Sequence, residues 1–379
     1  MKEKEKHSPF VFGGSTGNDM FTDREEETKR LILNFEHGIN TILISPRRWG
    51  KTSLVQKARK IAHGDTLKIV CIDVFACKCE EDFYRLLAVE LIKQTANKWE
   101  DWVDSTKKFL SALVPKISVG IDPQTDFSLS LDFSDKKTNE EILKLPQKIA
   151  EEKKISIVVC FDEFQQISEF PEHISFQKKL RSVWQLQDKV SYCLFGSKKH
   201  ILSEMFSKQS MPFYKFGDIL YLQKIKTEDW VPFIIQRFAV TGKTISEHLA
   251  REICNYVENH SSYVQQLAWL TWIRTETEAQ SEFLEAAKID LLQQNSNLYY
   301  QYVAELTRFQ MNFLFALCDN IHTNFTRKEI LNTYNIGTST NVQRIKKSLE
   351  DREIIDITNG EVYFNDPVFR LWFVKNVRR

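Results

Sequence analysis

Two short stretches of this chain carry the residue types that handle a polyphosphate and a divalent metal ion. The first is Ser45-Pro46-Arg47-Arg48-Trp49-Gly50-Lys51-Thr52-Ser53, and the second is Asp162-Glu163. Gripping phosphate takes backbone N–H groups that converge on one point, a helix N-terminus behind them and a cation. Gly50 allows close approach of the backbone, Lys51 supplies the cation, and the Thr52 hydroxyl suits a magnesium ion. Asp162 can hold the same ion through water, and Glu163 can orient and activate an attacking water.

The first stretch alone is a weak signal. The pattern G-x-x-x-x-G-K-[ST] is incomplete, because Ser45 stands at the first glycine position. The chain also holds a second such tripeptide, Gly242-Lys243-Thr244, with Arg237 at its first glycine position. Context separates the two. Thr41-Ile42-Leu43-Ile44 is a strand-like apolar run before the first tripeptide, and a helical pattern through Leu54, Val55, Ala58 and Ile61 follows it. The second follows Phe238-Ala239-Val240, the end of a helical pattern, and reads as a turn between helices. The decisive partner is Asp162-Glu163, which closes the apolar run from Ile155 to Phe161 about 110 residues further on.

Further elements surround these. Lys68 to Phe75, Tyr192 to Phe195 and Ile219 to Leu222 read as strands, and amphipathic patterns lie between the apolar runs. Strands alternating with helices predict an α/β core with a mostly parallel sheet, over residues 1–225. Lys116 to Phe133 breaks this rhythm. It alternates on both sides of Asp122-Pro123-Gln124 and predicts a β-hairpin insertion, either a surface decoration or a contact element for a partner. Residues 226–297 contain amphipathic helices only, at Trp230–Val240, Leu249–Val257, Val264–Ile273 and Phe283–Leu292. They predict a small helical domain, closed by a linker at Gln293-Gln294-Asn295-Ser296-Asn297. Residues 298–379 predict three helices, the second capped by Thr326 and the third beginning at Ser339 or Thr340. Two short strands then flank a turn at Asn359-Gly360. Three helices and a hairpin are the winged-helix pattern.

Composition bounds the function classes. Fifty-two Lys and Arg against 51 Asp and Glu leave a net charge of +1, which gives no bulk attraction to nucleic acid or an anionic membrane. The charged N-terminus from Met1 to Lys6 has no apolar core behind it, and the longest apolar runs are of strand length. A cytoplasmic protein without a membrane span is the expectation. The seven cysteines lie mostly in apolar segments, and Cys77-Lys78-Cys79 without a second pair is a poor zinc signature.

On these residues a family resemblance can be stated. Residues 45–55, Ser-Pro-Arg-Arg-Trp-Gly-Lys-Thr-Ser-Leu-Val, resemble the phosphate-binding loop of the archaeal-type ATPases, which stand near the AAA+ and STAND nucleotide-switch classes. Phe161-Asp162-Glu163-Phe164-Gln165 is similar to their Walker B strand end, and Phe195-Gly196-Ser197 to the strand end that carries a sensor. Phe21-Thr22-Asp23-Arg24-Glu25 resembles the segment before their first core helix. Residues 259–267 resemble a lid motif in which Ser261 replaces a customary proline, and Asp366 to Trp372 resembles the closing helix. The resemblance implies a P-loop NTPase core, a helical lid and a winged helix. It also implies ATP or ADP with Mg²⁺ as ligands, and Ser197 as a γ-phosphate sensor.

Three functions compete. One is a slow ATPase that works as a nucleotide-driven switch on an unknown protein partner. A second is a DNA-binding protein, laid out like origin-recognition ATPases, in which ATP tunes binding. Its winged helix would place Arg344, Lys346 and Lys347 on DNA phosphates, with Arg327, Lys328 and Arg352 nearby. The third is a scaffold that binds nucleotide without hydrolysing it. Candidate arginines for the transition state are Arg181 and Arg237, each of which also reads as a solvated helix-face charge. Arg47 and Arg48 sit in the loop itself.

Overall fold

The computed structural model describes residues 8–13, 23–95, 117–120, 128–131 and 136–378. The chain divides into two compact units. One is Arg24–Gln223. The other is Lys224–Arg379, joined by the N-terminal segment.

The first unit is built on a five-stranded parallel sheet. Its strands are β1 (Thr41–Ile44), β2 (Leu67–Asp73), β5 (Ser156–Asp162), β6 (Val190–Gly196) and β7 (Asp218–Tyr221), in the order β2-β5-β6-β1-β7. Helices α1 (Glu25–Glu36), α2 (Lys51–Ala62), α3 (Glu80–Thr95), α4 (Lys136–Lys153), α5 (His173–Trp184) and α6 (Lys199–Ser207) connect them. Buried Val, Ile, Leu and Phe side chains fill β1, β5 and β6, as central parallel strands require. Aromatic rings complete the core: Phe161 stacks on Phe83 at 5.1 Å and on Trp184 at 5.6 Å, and Trp184 stacks on Tyr192 at 4.0 Å. Ile61 is not part of this core. It lies exposed in the last turn of α2, although the periodicity puts it with Leu54 and Ala58.

The strand order decides what the unit can do. β6 lies between β1 and β5, with Ile44 level with Gly196 and Phe161 level with Leu194. Ser45, Asp162 and Ser197 therefore leave the sheet at its carboxyl edge, where open α/β sheets bind ligands. β3 (Ile117–Gly120) and β4 (Ser128–Leu131) pair antiparallel as a separate ribbon. The expected turn at Asp122-Pro123-Gln124 falls outside the described residues.

The second unit is helical up to its final hairpin. Helices α7 (Thr227–Val240), α8 (Glu247–Tyr256), α9 (Ser261–Arg274) and α10 (Ser281–Ala304) precede α11 (Arg308–Cys318), α12 (Lys328–Thr333) and α13 (Ser339–Asp351). Strands β8 (Ile355–Thr358) and β9 (Glu361–Phe364) and helix α14 (Pro367–Asn376) follow. Asn359 and Gly360 both take positive φ, 53° and 83°, as a tight two-residue hairpin turn demands.

The structure corrects three details of the sequence reading here. Residues 293–297 are not a linker but the middle of α10, a helix of 24 residues. Their polar side chains are used inside the unit: Asn295 and Ser296 bond back to the carbonyls of Leu291 and Leu292, and Trp372 Nε1 donates to Ser296 at 2.9 Å. Thr326 does not cap α12, whose N-cap is Arg327 with no side-chain bond; α13 does begin at Ser339, with Thr338 as its N-cap. The N-terminal segment packs with the helices, although the sequence reading groups it with the sheet. Phe10 is buried edge-on against Phe233 and Phe238, Phe12 meets Trp269, and Val11 N–H donates to Gln265.

Candidate nucleotide site

The loop after β1 turns on two left-handed residues, Arg48 at φ 63° and Gly50 at φ 91°. Gly50 is the N-cap of α2, so the first N–H groups of that helix open onto the loop. Ser45 is not among the positive-φ residues, so its position in this chain has no conformational need for glycine. Its backbone oxygen serves instead. Lys51, only 6 % exposed, donates from Nζ to Ser45 O at 2.9 Å, Pro46 O at 2.8 Å and Ser45 Oγ at 3.2 Å. Ser53 is buried one turn into the helix, and Arg47 and Arg48 are exposed. Trp49 is half-buried, and its carbonyl receives a bond from Arg24 at 3.4 Å. Arg24 is itself buried and paired with Glu27 at 2.9 Å.

The second stretch arrives beside the first. Thr52 Oγ1 donates to Asp162 Oδ2 at 2.7 Å, and the other Asp162 oxygen accepts from the Glu163 N–H at 2.8 Å. Burial pushes the Asp162 carboxyl up to about 6, against the pull of its bonds to Thr52 and the Glu163 N–H. Asp73, opposite Asp162 on β2, adds a smaller push in the same direction. A hydroxyl and a carboxylate in contact are a hard-oxygen donor pair of the kind Mg²⁺ takes, so these residues fit the expected ion.

Glu163 sits in a left-handed conformation, φ 52°. Its Oε2 accepts from Ser197 Oγ at 2.8 Å, from Ser197 N–H at 3.3 Å and from Gln165 Nε2 at 2.5 Å. The residues expected from the sequence thus form linked contacts along one sheet edge: Ser45 with Lys51, Thr52 with Asp162, and Glu163 with Ser197. Gln165, Arg24 and Gly196 also belong to this edge and were not singled out for a role in the sequence. The only signal for Gln165 is its place at the end of the Walker B-like stretch Phe161-Asp162-Glu163-Phe164-Gln165, with no role attached to it.

The C-terminal residues 297–375 match a family model described as a probable winged helix domain. No curated protein matches the chain. Among solved structures, a Walker-type ATPase of Pyrococcus abyssi is similar over 96 % of this chain and 99 % of its own, at 17 % identity and a TM-score of 0.66. The ORC2 protein of Aeropyrum pernix, in its ADPNP–ADP complexes, is similar over 98 % of this chain and 96 % of its own, at 15 % identity and a TM-score of 0.59. The fold is that of a Walker-type ATPase.

Within this Walker-type fold, one arginine candidate, Arg181, lies away from the carboxyl edge of the sheet. Arg181, at the end of α5, stacks on Phe216 at 4.8 Å, and Phe216 precedes β7 at the amino edge of the sheet, opposite the loop. It is not at the site and is half-buried: partial burial holds its guanidinium below the usual arginine range, and Nη1 has no hydrogen-bond partner among the described residues. In the second unit Arg237 Nε donates to Pro9 O at 2.8 Å, fastening the N-terminal segment to α7. Ser261, where the resembling motif carries proline, is the first residue of α9, the helical position that proline tolerates best. On the winged helix, Arg327, Lys328, Arg344 and Lys347 are exposed. Lys346 lies over the Phe325 ring at 5.1 Å, and Arg352 bonds Glu305. Among the described residues no helix is long and apolar enough to cross a membrane.

Proposed function

We propose that the chain binds Mg²⁺ and ATP at the carboxyl edge of its sheet, hydrolyses the ATP slowly, and uses bound nucleotide to switch the state of its helical unit. The observation that carries this reading is the meeting of Lys51, Thr52, Asp162 and Glu163 at one edge, with Thr52 and Asp162 in direct contact. The likeness to a Walker-type ATPase and to a protein solved with ADPNP and ADP supports it. The N–H groups at the start of α2 and the Lys51 ammonium would hold the phosphates, and Thr52 and Asp162 would hold the metal ion. Bound Mg²⁺ supplies charge neutralisation of the phosphate oxygens. Glu163 orients the attacking water and accepts its proton, and Ser197 fixes the carboxylate that does so.

The test is Mg²⁺-dependent ATP hydrolysis by the purified chain beside Glu163→Gln. The variant should bind ATP as the wild type does and lose on the order of 100-fold in turnover. Equal turnover in both proteins would sink the catalytic assignment and leave a nucleotide-holding scaffold.

A second reading is supported by the exposed Arg327, Lys328, Arg344 and Lys347 on the winged helix. In it these four cations hold duplex DNA by its phosphates, and Lys346 and Arg352, engaged as described, are not part of the interface. Retention of duplex should then weaken steeply with salt and fall when Arg344 and Lys347 are neutralised together. Binding unchanged in that double variant would remove this interface.

A further inference from the structure

Gln165 is a buried amide two residues after Glu163. It stands on a 3₁₀ segment, Phe164–Glu169, between the buried side chains of Phe164 and Ile167, and is itself only 3 % exposed. The direction of the amide is fixed by chemistry, since a carboxylate can only accept: the NH₂ group must face Glu163. The amide oxygen is then turned inward, where it has no hydrogen-bond partner among the described residues. A buried acceptor left in that state keeps an uncompensated desolvation penalty.

What makes room for it is a missing side chain. A Cβ built on Gly196 would stand 1.7 Å from Gln165 Oε1, 2.9 Å from its Cδ and 3.2 Å from the Glu163 Cα. Gly196 does not have a positive φ, so backbone freedom is not the reason for glycine here. Ser197, the next residue, supplies the other two donors to the same Glu163 oxygen. The end of β6 therefore does two things in consecutive positions: it vacates space for Gln165 and it holds the same Glu163 oxygen that Gln165 holds.

We infer that Gln165 is a positioning residue for Glu163, seated by the absence of a side chain at Gly196, and that the two act as one device. This rests on the role proposed for Glu163. The amide and the Ser197 hydroxyl together fix one carboxylate oxygen and leave the other to face the attacking water. The assignment predicts that Gln165→Ala and Gly196→Ala impair the same step.

The experiment is a double-mutant cycle on ATP hydrolysis, with Glu163→Gln as the floor and ATP binding and thermal melting measured on every protein. Gln165→Ala should lower kcat on the order of tenfold with KM for ATP unchanged. Gly196→Ala should do the same, and the double variant should be no slower than either single one. Gln165→Asn should not restore the rate, because the shortened amide cannot reach the same oxygen. A Gln165→Ala rate within twofold of wild type, or losses that multiply in the double variant, would overturn the inference while Glu163→Gln still marks a working catalyst. If wild type itself runs at the Glu163→Gln floor, the reading of Glu163 fails and the inference falls with it. A drop in melting temperature with kcat intact would assign Gln165 to packing alone.

Discussion

The tripeptide Gly-Lys-Thr occurs twice in this chain, and the two copies share more than their letters. Each glycine is left-handed, Gly50 at φ 91° and Gly242 at φ 78°, and each lysine is engaged by backbone carbonyl oxygen. The surroundings differ. Gly50 closes a loop that leaves a central parallel strand and caps the helix that follows, whereas Gly242 turns the chain between α7 and α8. Lys243 donates to Trp272 O at 2.9 Å and lies over the indole at 4.2 Å, so it braces two helices. Thr244 meets the Thr277 carbonyl, and Thr52 meets a carboxylate. A short motif fixes a local turn; the sheet edge behind it fixes whether the turn can hold an anion.

The sharpest way to break this contrast is the lysine pair. Lys51→Ala should weaken ATP binding by at least about 100-fold, because the buried cation held inside the loop is gone. Lys243→Ala should leave binding within twofold and cost about 1 kcal/mol of stability through the lost contact with Trp272. Titration with a fluorescent ATP analogue and chemical denaturation read the two effects separately. Comparable binding by the two variants would remove the distinction.

The threonine partners give a second, smaller effect. Asp162 is pushed up to about 6 by burial, so the folded protein holds its proton more tightly than the unfolded chain does. That preference stabilises the fold below the ordinary carboxylate range, near pH 4, and is lost as pH rises through about 6. Without metal at pH 7.5, Asp162→Asn should therefore stabilise the protein by roughly 1–2 kcal/mol, solvent screening at this half-exposed group taking part of the full effect. The gain should vanish near pH 4. Saturating Mg²⁺ and ATP should reverse it, since only wild type retains the carboxylate that meets the ion. Urea denaturation at the two pH values, with EDTA or with Mg²⁺ and ATP, checks the sign; a variant less stable at pH 7.5 in EDTA would contradict it.

How legible the molecule was in its sequence follows the same contrast between local and distant causes. The five core strands were readable because parallel strands covered on both faces are almost wholly apolar, as in Ile157-Val158-Val159-Cys160-Phe161. Asp162 and Glu163 were readable as the polar end of such a run. Strand order was not, and it alone puts Ser197 between the loop and Glu163. The role of Gln165 was hidden for a related reason: its burial depends on a glycine 31 positions away. The supposed linker at 293–297 failed in the opposite direction. A polar run reads as loop, but here Ser296 and Gln294 bond across to Trp372 and Gln266, so the helix continues through it. Arg181 reads as a solvated charge or a catalytic one; it is a half-buried helix-face charge laid over an aromatic ring at the far edge of the sheet, a contact no local pattern shows.

The smallest predicted difference concerns the two glycines, where the copies should behave alike in one measurement and apart in another. A Cβ at Gly50 or at Gly242 meets nothing within 4 Å, so alanine at either position is penalised by its backbone conformation and not by crowding. A left-handed residue with a side chain costs roughly 1–2 kcal/mol. Gly50→Ala and Gly242→Ala should thus lose similar stability, within about 0.5 kcal/mol of each other, by urea denaturation. ATP binding should separate them: a methyl group at Gly50 stands where the backbone must approach phosphate, and Gly242→Ala should bind as wild type does. Equal binding by both would mean that the loop grips nucleotide through Lys51 without close contact at Gly50. A far larger stability loss at Gly50 would mean instead that the loop is held by more than its turn, through the Lys51 bonds to Ser45 and Pro46.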